Sequence, residues 1–147
     1  EMKPKGFKNA HGMHGECVGI GTIMCARAYH ELAKRDTIEV KPYEPLDPAW
    51  VRDVFGDLAD GIFKENENDV LKTFPPENIK EHWQEIRDVI ATIPTAEELI
   101  DLYTKIGAKH SLAELDIDES IRGEFLDISS AIRNRLTFAR MTRLIVK

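Results

Sequence analysis

Cysteine is scarce in this chain: two residues, Cys17 and Cys25, among 147. On one helix they would stand about 80° apart and about 12 Å along the axis, too far for a disulfide. A disulfide framework is therefore excluded, and both are expected to be buried free thiols in a reducing compartment, the cytosol. Long apolar runs are also missing. None approaches the roughly 20 residues that span a bilayer, and the opening residues carry no hydrophobic signal region. Positive charge is in deficit, with 20 Lys and Arg against 26 Asp and Glu, a net charge of −6. That excludes a general nucleic-acid binder, which needs clustered cations for phosphate. Strand-like alternation, internal repeats and low-complexity segments are absent too.

What is present is an ordinary globular balance, 42% hydrophobic and 31% charged. The length is that of one domain and is enough to bury a core without staples. Residues 1–15, with Pro4, Gly6, Gly12 and Gly15, read as an irregular lead-in. Residues 16–147 read as a single helical domain. Cys17 to Arg35 is expected to be a central helix, apolar on most sides, with Gly19 and Gly21 packed close against another backbone. Asp47 caps and Pro48 opens a short helix carrying Trp50, Val51, Val54 and Phe55. Gly61 to Asn68 breaks the pattern. Pro76 to Ile93 forms a helix with Ile79, Trp83, Ile86, Val89 and Ile90 on one stripe. Thr95 and Glu98 make a capping box for a helix that buries Leu99, Ile100, Leu102 and Tyr103 and stops at Gly107. Ser111 and Glu114 make a second box. One helix from Asp118 or Glu119 to about Arg135 and another from Thr137 to the end complete an all-α, compact bundle of six to eight helices.

The segment richest in chemical possibility is His11-Gly12-Met13-His14-Gly15-Glu16-Cys17-Val18-Gly19-Ile20-Gly21-Thr22. Neutral imidazole is a common metal ligand, and glycines beside a ligand let backbone or substrate approach. The two histidines three apart are a weak signal by themselves. His14 alternatively caps the helix or satisfies a core hydrogen bond. Glu16 either steadies an imidazole or simply places negative charge at a helix N-terminus. His30, His82 and His110 read as surface residues, and Trp50 and Trp83 as core.

His14-Gly15-Glu16-x-Val18-Gly19-x-Gly21-Thr22 resembles the HGExVGxGT segment of the sn-glycerol-1-phosphate dehydrogenases. Arg133-Asn134-Arg135-Leu136-Thr137-Phe138 resembles their RNRxTF segment. Between them, Leu102-Tyr103-x-x-Ile106-Gly107 followed by Ser111-Leu112-x-Glu114-Leu115 resembles their LYxxLGxxxSLxEL turn. Glu1-Met2-Lys3 resembles the end of a helix that carries an earlier histidine motif. The likeness runs in order along nearly the whole chain. It extends to the wider group containing dehydroquinate synthase, glycerol dehydrogenase and the iron-containing alcohol dehydrogenases.

The resemblance implies the C-terminal, helical domain of a two-domain, dehydroquinate synthase-like fold. The expected partner is an N-terminal Rossmann-like domain that binds NAD(P), lying upstream of Glu1. The opening Glu1-Met2-Lys3-Pro4 fits the middle of a longer protein, or a processed or engineered start. A divalent metal, zinc first and nickel or iron otherwise, would sit between the domains. His14 matches the later of its two histidine ligands, in preference to His11. The implied whole enzyme is cytoplasmic, serves phospholipid biosynthesis and reduces a phosphorylated triose, dihydroxyacetone phosphate. Homo-oligomers are compatible with it. Arg133, Asn134 and Arg135 are candidates for the substrate phosphate, or else a salt-bridged helix face. No residue of this chain alone is expected to be catalytic, nor is a metal or NAD(P) expected to bind it tightly. An exposed apolar patch is expected beside the start of the first helix. Two other readings stay open: a related enzyme such as glycerol dehydrogenase or dehydroquinate synthase, and a non-catalytic helical interaction module.

Overall fold

Local signals set several helix starts. Asp47 Oδ1 accepts the Ala49 N–H at 2.9 Å, and Pro48 takes the first helical position. Thr95 and Glu98 cap each other reciprocally. The Gly107 glycine has φ +69°, and the Ala108 N–H returns to the Tyr103 carbonyl at 2.9 Å, closing a Schellman motif. The computed structural model describes residues 11–147. The opening lead-in through residue 10, including the Glu1-Met2-Lys3 segment, lies outside the described residues.

Eight α-helices follow one another among the described residues: α1 (His14–Ala33), α2 (Pro48–Phe55), α3 (Ala59–Glu65), α4 (Glu77–Glu81), α5 (Trp83–Ala91), α6 (Ala96–Lys105), α7 (Phe125–Ile132) and α8 (Phe138–Met141). Short 3₁₀ turns join several of them, and the described residues contain no strand. The fold is all-α. Helix α1 is the axis, packed against α5, α6 and α7.

The apolar stripes converge on three clusters. Val51, Val54 and Phe55 of α2 meet Ala59 and Ile62 of α3 and Ile128 and Ala131 of α7. Ile38, Leu71, Ile79 and Trp83 surround Leu144 and Ile145. Ile20 of α1 packs with Leu112, Leu115, Ile117 and Ile121. Full burial of each such aliphatic side chain contributes about 1.5–3 kcal/mol. Leu144, at the end of a 3₁₀ turn, and Ile145, in the extended segment after it, both enter this cluster. Val40 and Ile145 form an isolated antiparallel bridge, the Lys41 N–H donates to the Leu144 carbonyl at 2.8 Å, and the Val146 N–H donates to the Glu39 carbonyl at 2.8 Å.

Several expectations need correction. Helix α1 begins at His14 rather than Cys17, so the His14 side chain belongs to its first turn. The close partner of Gly19 is the ring of Tyr103, not another backbone: a Cβ on Gly19 would stand 2.7 Å from Tyr103 Cε2. Gly21 has nothing nearer than Phe125 Cζ at 4.0 Å. Cys17 is exposed and Cys25 half-buried, although both are free. Val89 and Leu102, expected inside, are 65% and 52% exposed. Trp50 is half-buried, its indole N–H donating to Glu124 Oε2 at 3.1 Å. Gly61 does not break the chain but lies within α3. The helix expected over 76–93 is interrupted at the single residue His82, whose φ and ψ of −100° and 20° leave the helical well.

The end of α7 has a physical cause. The chain turns extended at Arg133, short of the expected Arg135. The last carbonyls of a helix lack intrahelical donors. Here the Arg140 guanidinium donates to the Ser130 carbonyl at 2.5 Å and the Arg133 carbonyl at 2.9 Å, and Asn66 Nδ2 donates to the Ala131 carbonyl at 2.8 Å. Side chains from elsewhere thus terminate the helix. The last segment is likewise shorter than expected: α8 gives way to a 3₁₀ turn at Thr142–Leu144 and then to the extended tail.

Candidate metal-ligand site

The N-terminus of α1 is held by its own sequence. Met13 occupies the N-cap position with an extended backbone, and the Glu16 carboxylate reaches back to accept the Met13 N–H at 2.8 Å. Lys109 completes the clamp, with Nζ 3.3 Å from Glu16 Oε1. The Met13 N–H holds the Glu16 carboxyl below the usual carboxylate range, Lys109 adds to this, and partial desolvation opposes it. Glu16 is therefore occupied as a helix cap. Upstream of it, the His11 N–H donates to the Leu115 carbonyl at 2.8 Å. Gly12 lies against Leu115, where a Cβ would stand 2.8 Å from Leu115 Cδ2. These contacts fix the entry of the chain into α1.

His14 sits on the first turn of α1, and both it and His11 are exposed. Lys109, which pairs with Glu16 of the same turn, is followed by His110. His110 is half-buried, with Nδ1 3.2 Å from the Ala108 carbonyl and 3.9 Å from Glu114 Oε2. The Ser111 hydroxyl and N–H and the His110 N–H all donate to Glu114 Oε2, holding that carboxyl below its usual range. Glu114 too is committed to turning the chain.

These donors can be tested against a divalent ion. Imidazole suits zinc, nickel and iron, and a catalytic zinc takes three protein ligands with one open position. Among the described residues no three His, Cys, Asp or Glu side chains gather closely enough to hold an ion. The exposed imidazole of His14 is by itself one donor, short of the three such an ion needs.

The Arg133-Asn134-Arg135 segment is placed elsewhere. Its contacts are with residues 65–70 and with Arg140, while those of the His14 turn are with 109–115. Asn134 is a structural staple. Its Oδ1 accepts the Val70 N–H at 3.0 Å, its Nδ2 donates to the Asn68 carbonyl at 2.8 Å, and its own N–H donates to Glu65 Oε1 at 2.9 Å. One N–H of its Nδ2 is used in this way and the second is left over. Arg133 and Arg135 are exposed.

Two features escaped the sequence reading. One is Lys109, the partner of Glu16. The other is the buried pair of Arg140 and Asp69, the first fully buried and the second nearly so. The Asp69 carboxylate accepts from Arg140 Nε at 3.0 Å and from Arg143 Nη1 at 2.8 Å, and Asn66 Oδ1 accepts from Arg140 Nη2. Burial alone would raise the Asp69 carboxyl. The guanidinium of Arg140, the Leu71 N–H and Arg143 outweigh it and hold the group below its usual range. No local signal marked the pair, since on a helix Arg140 stands about 100° from the centre of the apolar stripe of Phe138, Met141 and Leu144.

The histidines on the helix faces differ as well. His82 is exposed beside Glu85, as expected, but His30 is half-buried with Nε2 2.9 Å from the Ile93 carbonyl. Cys25 is no ready nucleophile, since burial pushes its thiol pKa up despite a hydrogen bond with Tyr29.

No helix of the described residues is long and apolar enough to cross a membrane. No family model, no curated protein and no solved structure matches this chain.

Proposed function

We propose that this chain is the helical half of a metal-dependent, NAD(P)-linked dehydrogenase of the sn-glycerol-1-phosphate dehydrogenase type, reducing dihydroxyacetone phosphate. The observation that carries the reading is His14. It lies exposed on the first turn of the axial helix, inside the segment that resembles the family's ligand motif, while the neighbouring Glu16 is occupied in fixing that turn. In this reading His14 supplies one ligand, and the other ligands and the nicotinamide come from the Rossmann-like partner domain. A divalent ion there would polarise the ketone oxygen and stabilise the developing alkoxide. Arg133 and Arg135 remain the candidates for a phosphate contact, with Asn134 holding their loop. The all-α fold and the packing of α6 across α1, with Tyr103 against Gly19, support the placement of the motif.

The test is turnover by the full-length protein. Dihydroxyacetone phosphate should be reduced with NADH or NADPH, and His14→Ala should abolish this while leaving the fold intact. Failure to turn over dihydroxyacetone phosphate, with turnover of glycerol or formation of dehydroquinate, would transfer the assignment to a sister enzyme. A second reading, a non-catalytic interaction module, is favoured by the exposed apolar side chains Met13 and Val18 beside the same turn, 75% and 53% exposed. An unchanged full-length activity in His14→Ala, together with loss of a partner in Val18→Glu, would favour it.

A further inference from the structure

The proposed dehydrogenase chemistry makes no use of an apolar hollow between α1 and α7. This cavity of about 500 Å³ is the size of a small-molecule site. Its floor is apolar: Ile23 and Ile145 are buried, and Met24, Phe125 and Leu126 are half-buried. Its mouth is cationic. Arg27, Lys34, Arg35, Arg122 and Lys147 line it, all of them exposed, against only two carboxylates, Glu31 and Asp127. With Glu97 and Glu119, which pair with Arg27 and Arg122, the rim carries five cations against four carboxylates, and Arg35 is the surplus charge in a chain of net charge −6.

Four of these cations have carboxylate neighbours: Lys34 with Glu31 at 2.5 Å, Lys147 with Asp127 at 2.5 Å, Arg27 with Glu97 at 3.7 Å, and Arg122 with Glu119. Exposed pairs of this kind are weak and exchange partners readily. Arg35 is different. Its Nη1 donates to the Val146 carbonyl at 2.8 Å, which fixes the guanidinium at the cavity edge without neutralising it. An apolar floor beneath a fixed guanidinium and exchangeable cations is complementary to one chemical class.

We infer that this cavity binds a single-chain anionic amphiphile, with its apolar chain on Ile23, Met24, Phe125 and Leu126 and its phosphate or carboxylate head at Arg35, Arg27 and Arg122. The volume suits a monomeric small molecule, and the cations set its head-group sign. The site rests on side chains of α1, α7 and the tail and does not depend on His14 or on the dehydrogenase assignment.

The experiment is a titration of the full 147-residue chain with dodecyl phosphate, dodecyltrimethylammonium and dodecyl maltoside. All are kept below their micelle thresholds and followed by amide chemical shifts and calorimetry. Dodecyl phosphate should bind at one site, shift the amides of residues 23–35 and 122–127, and bind at least tenfold more tightly than the other two. The exposed-residue variant Arg27→Glu/Arg122→Glu should lose at least tenfold of that affinity while keeping the helical circular dichroism and melting temperature. Equal affinity for all three head groups would overturn the inference. So would shifts confined to other surfaces, unchanged affinity in the folded variant, or binding only to anionic vesicles and not to the monomer. If the variant unfolds, Arg35→Gln supplies the same comparison. His14→Ala should leave this binding unchanged, so its outcome is separable from that of the dehydrogenase assay.

Discussion

Asp69 and Arg140, 71 positions apart in sequence, are joined by two parallel contacts of 3.0 Å inside the protein, Nε to Oδ1 and Nη2 to Oδ2. The other donors of the guanidinium go to carbonyls at the end of α7 and to Asn66. The pair thus joins α8, the end of α7 and the start of the Val70–Thr73 turn. Removing one partner of a buried ion pair typically costs about 3–5 kcal/mol, because the other charge is left uncompensated. Asp69→Ala should lose stability on that scale in urea unfolding. A loss below about 1 kcal/mol would show that Arg143 and solvent had taken over the role.

Gly19 is a packing glycine. In Gly19→Ala the new methyl would meet the Tyr103 ring, and overpacking of this kind costs about 1–3 kcal/mol. Tyr103→Leu combined with Gly19→Ala should recover part of the loss, since the two positions touch. Strict additivity of the two changes, measured by thermal melting, would refute the contact as the cause.

Four carboxylates, Glu16, Glu98, Glu114 and Asp118, accept N–H or hydroxyl donors at element starts, and all are held below their usual range. The folded state therefore binds fewer protons than the unfolded one near these pKa values. Their contribution is present above the unfolded carboxylate range, about pH 4, and is lost as pH falls through the lower folded values. Asp69 acts in the same direction. Stability should fall steeply below about pH 4, and Glu98→Gln/Glu114→Gln should flatten that decline. Parallel urea midpoints from pH 7 down to pH 3 for both proteins would contradict it.

Asn134 and its two arginines should separate experimentally. Asn134→Ala strips partners from the Val70 N–H and the Asn68 carbonyl and should cost about 1–3 kcal/mol. Arg133→Ala and Arg135→Ala, both exposed, should stay within about 0.5 kcal/mol of the parent. In the proposed full-length dehydrogenase the arginine variants should raise KM for dihydroxyacetone phosphate. A KM unchanged in both removes them from the phosphate site.

Metal affinity offers a complementary readout. Zinc titrated into this chain alone should bind weakly, because the exposed His14 and His11 do not make three ligands among the described residues. His14→Ala should abolish whatever weak binding is seen, whereas His11→Ala should only reduce it. Calorimetry showing a tight one-to-one complex would contradict the view that His14 is one edge of a larger site.

Features written over four or five residues were legible in the sequence. Asp47-Pro48, the Thr95–Glu98 box and Gly107 each act on backbone groups within one turn, so local chemistry decides them. What failed depended on distant partners. The exposure of Val89 and Leu102 follows from which helices lie opposite them, and periodicity does not name those helices. The end of α7 is set by Arg140 and Asn66, which local propensity ignores. At the candidate site the clamp of Glu16 by Lys109 joins residues 93 positions apart, so no local pattern announces it. Asn134 stood out by its arginine neighbours, while its bonds to the backbone of 68–70 join residues more than 60 positions apart and left no local trace.

The tail bridge between Val40 and Ile145 bears on how the chain matures during translation. Leu71, Ile79 and Trp83 cannot complete their cluster until Leu144 and Ile145 have been synthesised, and Asp69 waits equally long for Arg140. On the ribosome the helices nearer the N-terminus must therefore persist with one wall of that core open and one buried carboxylate unpaired. Closure comes late, over the long loops that slow folding. A nascent chain exposed only as far as residue 137 should accordingly be protease-sensitive, and one exposed through residue 146 resistant.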